Sequence, residues 1–302
     1  MKLNSTKAAK PFLKWAGGKT QLINDIYKSL PKDFTEREIT FIEPFVGSGA
    51  VMFWMLNNFP NIKKAVINDI NTDLTKTYKT IRSNVEEVIN QLTTWQAEYY
   101  QFEQDADARK EYYYEKRALF NTRESNDVVH TSLFIFLNRT CFNGLFRVNK
   151  SNGFNVPIGS YKTPMICDED NLRAVSKLLE KVIILNGDFE ETLNYAEGET
   201  FFYFAPPYKP LSETSSFNSY AKDEFNDEEQ KRLRDFCKQL DILGHNWMLS
   251  NSDVKGKDPK DNFFDDLGKS LSGRAIRTHS FPFLRKEKGV QIIAPIPFAK
   301  AS

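Results

Sequence analysis

Short apolar runs alternate with longer stretches of helical spacing along this chain, a rhythm that predicts an α/β fold. Thr40-Phe41-Ile42 opens an apolar strand that runs into Gly47-Ser48-Gly49, and Ala65-Val66-Ile67 forms a second strand ending in Asn68-Asp69-Ile70-Asn71. Val182-Ile183-Ile184-Leu185, Phe201-Phe202-Tyr203-Phe204 and the run from His245 to Ser252 repeat the pattern, and Val290 to Ile296 adds a last apolar stretch. Between the strands, Leu22, Ile23, Ile26 and Leu30 fall at helical spacing and stop at Pro31. Val51, Phe53, Trp54 and Leu56 do so after the glycines, and Leu172, Val175, Leu178 and Leu179 before Val182. Asp227-Glu228-Glu229 reads as the first turn of a helix, where acids are favoured. From Thr72 to about Cys167 the rhythm breaks. This segment is mostly helical from Val85 to Phe120, with Tyr112-Tyr113-Tyr114 packed on its neighbours, and it is rich in aromatic, Asn, Arg and Lys residues. It ends in two short runs around Lys150-Ser151-Asn152-Gly153, which read as a β-hairpin with a basic flank. The expected architecture is one α/β domain interrupted by a mainly helical insertion that contains this hairpin.

Composition changes the picture little. The chain has 302 residues, 40% hydrophobic and 14% aromatic, enough to bury a core and to exclude general disorder. Lys+Arg of 41 against Asp+Glu of 40 leaves a net charge of +1, so any nucleic-acid contact rests on a local basic face. Three scattered cysteines form neither a disulfide framework nor a metal pattern, and the three histidines are widely spaced, so no metal is expected. No stretch is apolar enough for a membrane span, and the first residues have no signal-peptide core. A soluble, cytoplasmic protein is the expectation.

Candidate chemistry lies where strands end. A glycine turn, a helix, a strand and a terminal Asp69 make the layout of a nucleoside site, in which the acid accepts from ribose hydroxyls. Neither a third glycine at dinucleotide spacing nor a phosphate loop is present, so NAD and ATP are disfavoured. Pro11 to Lys19 brings Trp15, Gly17-Gly18 and Lys19 to a helix start, which reads either as a ligand loop or as a tight turn. Asp188, after the strand ending at Leu185, reads either as a ligand contact or as a cap for the segment from Glu190. The 138–161 hairpin reads either as a groove-entering element or as an ordinary surface hairpin. Phe201–Phe204 stops at Ala205-Pro206-Pro207-Tyr208, because proline removes a ladder donor and forces a rigid turn. Ser212 to Phe225 is polar and long enough for a mobile loop.

Six motifs in order then narrow the choice: K-W-A-G-G-K at 14–19, E-P-F-V-G-S-G at 43–49, N-D-I-N at 68–71, N-R-T-C-F-N-G-L-F-R-V-N at 138–149, F-N-V-P-I-G-S-Y at 154–161 and A-P-P-Y at 205–208. Over roughly residues 11 to 253 the chain resembles the Dam-type DNA adenine-N6 methyltransferases. The resemblance implies a doubly wound, Rossmann-like fold that depends on S-adenosylmethionine. It implies a catalytic domain of residues 1–71 and 168–302 and a target-recognition insertion of residues 72–167. Trp15, Lys19, Asp69 and the residue at 205 would contact S-adenosylmethionine, with Glu43, Gly47 and Asp188 as further candidates. Asn143, Leu145, Arg147 and Pro157 would face the bases of a GATC site, Phe142 would wedge beside the opened pair, and Arg139, Asn149 and Lys150 would add DNA contacts. Double-stranded DNA is the implied partner of a monomeric, DNA-associated bacterial chain, with a restriction endonuclease as a genetic partner only.

The same family carries an acid where this chain has Ala205. There the carboxylate and the Pro206 carbonyl accept both N6 protons of a flipped adenine, on which Tyr208 stacks. Losing such an acceptor costs about 10²–10³ in rate, so the expectation is a severely impaired catalyst that still folds and binds DNA. Two alternatives stand beside it: a non-catalytic DNA-binding protein of the same fold, and a methyltransferase acting on cytosine N4 or a protein amide. The basic tail (Arg274, Arg277, Arg285, Lys286, Lys288) does not resemble the family's ending and receives no role.

Overall fold

β1 (Ile39–Glu43) and β4 (Thr200–Phe204) lie side by side at the centre of a seven-stranded sheet of order β3-β2-β1-β4-β5-β7-β6. The other strands are β2 (Ile62–Ile67), β3 (Val182–Ile184), β5 (Asn246–Ser252), β6 (Ile276–Phe281) and β7 (Val290–Pro295). The computed structural model describes residues 8–15, 19–207, 225–252, 276–281 and 290–295. Strands β1 to β5 pair in parallel, while β7 runs antiparallel to both β5 and β6. Every residue of β1 and β4 is buried, as expected of parallel strands covered on both faces. Alternate residues serve opposite faces. Phe41, Ala65, Phe201 and Tyr203 join one apolar cluster, and Ile42, Val66, Phe202 and Phe204 join the other.

Seven α-helices are described: α1 (Ile23–Ser29), α2 (Ala50–Asn58), α3 (Thr72–Gln101), α4 (Ala106–Thr122), α5 (Asp127–Thr140), α6 (Glu169–Leu179) and α7 (Asp227–Ile242). Asn71, Asp105, Asn126, Asp168 and Asn226 cap α3 to α7 in turn, each side chain accepting from an orphan amide of its first turn. Helix α7 covers the second sheet face through Leu233, Phe236 and Leu240. Helices α3 and α5 share the first face's core, so residues 72–167 add to that core and have no separate one among the described residues. This is the Rossmann-like architecture expected of the fold class.

The predicted hairpin is present in irregular form. Gly159 N donates to Thr140 O (2.8 Å), Phe142 N to Pro157 O (2.9 Å), Asn155 N to Arg147 O (3.2 Å) and Asn149 N to Gly153 O (2.9 Å). Only isolated bridges form, Cys141 with Ile158 and Val148 with Phe154. A 3-10 turn at Phe142–Gly144 interrupts the ladder, with Asn143 at φ 55° and Gly144 at φ 63°. Helix α4 supplies what the ladder lacks. Tyr113 Oη donates to Val156 O (2.8 Å), Asn121 Nδ2 to Phe154 O (3.0 Å), and Phe154 N to Asn121 Oδ1 (2.8 Å). Tyr113, Arg117 and Asn121 lie at i, i+4 and i+8, one face of the helix, so they act as a surrogate strand for residues 154–156.

Candidate cofactor and DNA site

Strand order reverses between β1 and β4, the topological point at which open α/β sheets take ligands beyond the carboxyl ends of their strands. Asn68, 2% exposed, fastens that rim: its Nδ2 donates to Pro44 O (3.1 Å) and Gly187 O (2.9 Å), joining the ends of β1, β2 and β3. The turn after β1 is held to the residue after β2. Gly47 N donates to Asp69 Oδ2 (3.1 Å), Asn71 N to Asp69 Oδ1 (2.9 Å), and Tyr78 Oη to Gly47 O (2.9 Å). Gly47 has φ 49°, and a Cβ there would sit 2.9 Å from Trp15 Cδ1. The indole of Trp15 therefore lies directly on the glycine turn, a close approach that only glycine permits.

Charge is unusual at this rim. Glu43 is 2% exposed, and its Oε2 meets no hydrogen-bond donor among the described residues. Burial pushes its carboxyl well above the usual range, against the opposing Met52 amide and Lys19 charge. Burial also lowers the Lys19 ammonium to about 8, with Glu43 opposing the shift. Asp69, half-buried at the mouth, is raised by desolvation and held down in part by the amides of Asn71 and Gly47. Trp15, Lys19, Glu43, Gly47 and Asp69 thus come together from three separate segments.

Asp188 does not present a free carboxylate. Its Oδ1 accepts from Glu190 N (2.9 Å), capping a 3-10 turn, and both oxygens accept from Arg232 Nη2 at 3.0 Å. Ala205, Pro206 and Pro207 follow β4 at the reversal point. The turn is pinned from α7, where Gln230 Nε2 donates to Pro207 O (3.2 Å), and Gln230 is itself held by Asn251 of β5 (3.0 Å). Ala205 packs on the same apolar cluster as Trp15. Tyr208, Gly17-Gly18, most of the 212–225 loop and Arg274, Arg285, Lys286 and Lys288 lie outside the described residues.

The hairpin exposes Phe142, Asn143, Leu145, Lys150 and Pro157 on the surface, with Phe142 at 50%. Arg147 is half-buried, its Nε donating to Asn155 Oδ1 (2.7 Å). Two predicted contacts sit differently. The Asn149 side chain builds the hairpin tip, accepting from Ser151 N (3.0 Å) and Gly153 N (2.8 Å). Arg139 has a buried Nε without a partner among the described residues, and burial lowers its pKa against the charge of Asp168.

Several positioning residues escaped the sequence reading. Asn138, 3% exposed, accepts from Lys14 N (2.8 Å) and donates to Lys14 O (2.8 Å) and Gly144 O (3.0 Å), tying the 14–19 segment to the hairpin base. Asn155 orients Arg147. A four-residue repeat of hydrogen-bonding side chains along α4 was the available signal for the brace at Tyr113, Arg117 and Asn121. Among the described residues, no group of His, Cys, Asp or Glu is arranged to hold a metal, and no helix is long and apolar enough to cross a membrane.

Comparison with known proteins shows the family. Residues 15–280 match the family described as D12 class N6 adenine-specific DNA methyltransferase. The chain is 51% identical over 246 residues to a protein named Type II methyltransferase M.MjaIII from Methanocaldococcus jannaschii, covering 80% of this chain and 84% of that one. It is 40% identical to Type II methyltransferase M1.LlaDCHI of Lactococcus lactis subsp. cremoris, covering 80% and 81%. It is 37% identical to a DNA adenine methylase of Haemophilus influenzae, covering 82% and 80%.

Proposed function

The chain belongs to the D12 class of N6 adenine-specific DNA methyltransferases, and on that premise we propose that it binds S-adenosylmethionine at the ends of β1 and β2 and presents a GATC-bearing duplex to the turn after β4. The observation that carries this reading is the Gly47–Asp69 hydrogen bond with Trp15 lying on the same turn, beside the Ala205-Pro206-Pro207 turn at the reversal point. The site fits the cofactor. Gly47 leaves a cradle that a Cβ would fill, Asp69 offers carboxylate lone pairs to ribose hydroxyls, and Glu43 keeps one buried oxygen for a donor. Trp15 and Lys19 complete the set, while Asp188 is the weakest member because Arg232 already engages it. When bound, S-adenosylmethionine supplies an electrophilic methyl group on a sulfonium.

The chain's own residues bind, read and orient. Arg147, held by Asn155, makes the bidentate contact to guanine O6 and N7, and Asn143, Leu145 and Pro157 face neighbouring base edges. Phe142 enters the stack beside the opened pair, and Lys150 neutralises phosphate, with Asn149 shaping the tip it stands on. The flipped adenine stacks on Tyr208. Its N6 lone pair is delocalised into the ring, and acceptors for both N6 protons localise it. Pro206 O is one such acceptor. Ala205 supplies none, so this chain turns over slowly while keeping its DNA affinity. It acts as a DNA-associated cytoplasmic monomer, with any restriction endonuclease a genetic partner and not a bound one.

The test takes Ala205→Asp with S-adenosylmethionine and a duplex holding one GATC site, followed by nucleoside digestion and mass spectrometry. N6-methyladenine is expected, and a duplex carrying GTTC should yield none. N4-methylcytosine, or label on protein amides, overturns the assignment.

A further inference from the structure

Phe146 lies between two expected base-reading residues, Leu145 and Arg147, yet its ring turns inward. It stacks on Trp15 with centroids 5.6 Å apart and planes 18° from parallel. It also contacts Phe134 (5.2 Å) and Phe154 (5.8 Å), so both arms of the hairpin meet at this ring. Phe154 continues to Phe120 (6.0 Å), which stacks on His130 (4.8 Å). His130 Nε2 lies 2.9 Å from Asp73 Oδ1, which also accepts from Arg123 Nη1 (2.8 Å). Arg123 in turn donates through Nη2 to Asn152 O at the hairpin tip (3.0 Å).

One end of this chain of contacts lies on the proposed nucleoside site, and the other lies on the helix that starts just after it. Trp15 rests on Gly47. Asp73 stands in the first turn of α3, two residues beyond Asn71, whose amide Asp69 holds. The hairpin is therefore threaded on an aromatic column that starts at Trp15, on the proposed cofactor pocket, and ends at His130, which is hydrogen-bonded to Asp73 in the first turn of α3. Close-packed rings transmit a shift in one member to the next, because they cannot deform continuously. A change in the tilt of the hairpin when bases are engaged moves Phe146, and with it the face that Trp15 presents to the glycine turn.

We propose that Phe146 is a positioning residue that couples the two ligand sites, so that specific duplex tightens cofactor binding and cofactor tightens specific duplex binding by the same factor. The proposal rests on the functional reading above for what each site binds. Reciprocity follows from linkage, since one coupling free energy governs both affinities. Random-sequence DNA, held by backbone charge alone, leaves Leu145 and Arg147 unengaged and exerts no such effect.

The experiment measures the dissociation constant of S-adenosylhomocysteine by calorimetry, alone, with a GATC duplex and with a CATG duplex that moves the guanines, for the unchanged chain and for Phe146→Leu. The leucine keeps apolar volume at a half-buried position, and thermal melting checks that it folds. We expect the GATC duplex to tighten binding about fivefold or more in the unchanged chain and less than about twofold in Phe146→Leu, within the usual range of coupling between sites. The CATG duplex should change neither. An equal coupling factor in both proteins overturns the proposal, as does a factor of one in the unchanged chain. Failure of the unchanged chain to bind either ligand overturns instead the functional reading on which the proposal rests.

Discussion

The amide of Gly47 donates to Asp69 Oδ2 at 3.1 Å, so the turn after β1 and the acid after β2 form one hydrogen-bonded unit, although they lie 22 residues apart. The second oxygen of Asp69 holds the Asn71 amide at 2.9 Å, which sets the start of α3. Asp69→Asn keeps one carbonyl acceptor but removes the charge. A hydrogen bond to a charged group contributes about 1.5–3 kcal/mol, so S-adenosylhomocysteine affinity should fall about 10- to 150-fold by calorimetry. An unchanged affinity removes Asp69 from the pocket.

Gly47→Ala tests the cradle itself. At φ 49° an alanine is strained, and its Cβ would press within 2.9 Å of Trp15 Cδ1. Left-handed backbone at a residue other than glycine costs about 1–3 kcal/mol. Thermal melting should show a loss of stability in that range, and cofactor affinity should drop because Trp15 must move.

Lys19 makes the site sensitive to alkaline pH. Burial sets its folded pKa at about 8, below the ordinary 10.5, with Glu43 opposing the shift. Between these values the unfolded chain holds the proton and the folded chain does not. Stability contributed by this group therefore rises with pH across that window. Below about pH 8 both forms are charged and the burial penalty is constant. Ligand binding has the opposite dependence, since the cation disappears above about 8. S-adenosylhomocysteine affinity should weaken as pH rises through about 8, and Lys19→Met should lose that inflection.

Arg147 Nε donates to Asn155 Oδ1 at 2.7 Å, and the proposed reading of guanine rests on this pair. Arg147→Ala should weaken GATC duplex binding by about 1–3 kcal/mol and relax discrimination at one base pair. Asn155→Ala leaves the guanidinium in place without its anchor, and a smaller loss of about 1 kcal/mol is expected. Competition binding against singly substituted duplexes measures both. Equal affinity for all duplexes in the unchanged chain would contradict the base-reading role.

Much of this was legible before the fold was seen. A parallel sheet covered on both faces demands unbroken apolar runs, so Phe41-Ile42, Val66-Ile67 and Phe201 to Phe204 declared themselves as strands. Glycine at 47 and an acid at 69 also have local signatures, one in backbone freedom and one in spacing. What stayed hidden depends on partners far along the chain. Asp188 fits a cap and a ligand contact equally well until Arg232, 44 residues later, reaches it. Asn138 meets Lys14 across 124 residues, and no periodicity marks that pairing. Arg139 carries a surface-type side chain on the last turn of a helix, and only the fold shows that its Nε is buried. The family resemblance gives Asn149 a DNA contact, and only the fold shows that its carboxamide oxygen also holds the turn through Ser151 N and Gly153 N.

The central claim is that the turn after β4 is where adenine N6 is activated, and that residue 205 decides the rate. Methyl transfer from labelled S-adenosylmethionine to a GATC duplex, compared in single turnover between this chain and Ala205→Asp, tests it most directly. The account predicts a gain of about 10²–10³ or more on restoring the carboxylate, with duplex affinity little changed. Equal rates in the two proteins would contradict it.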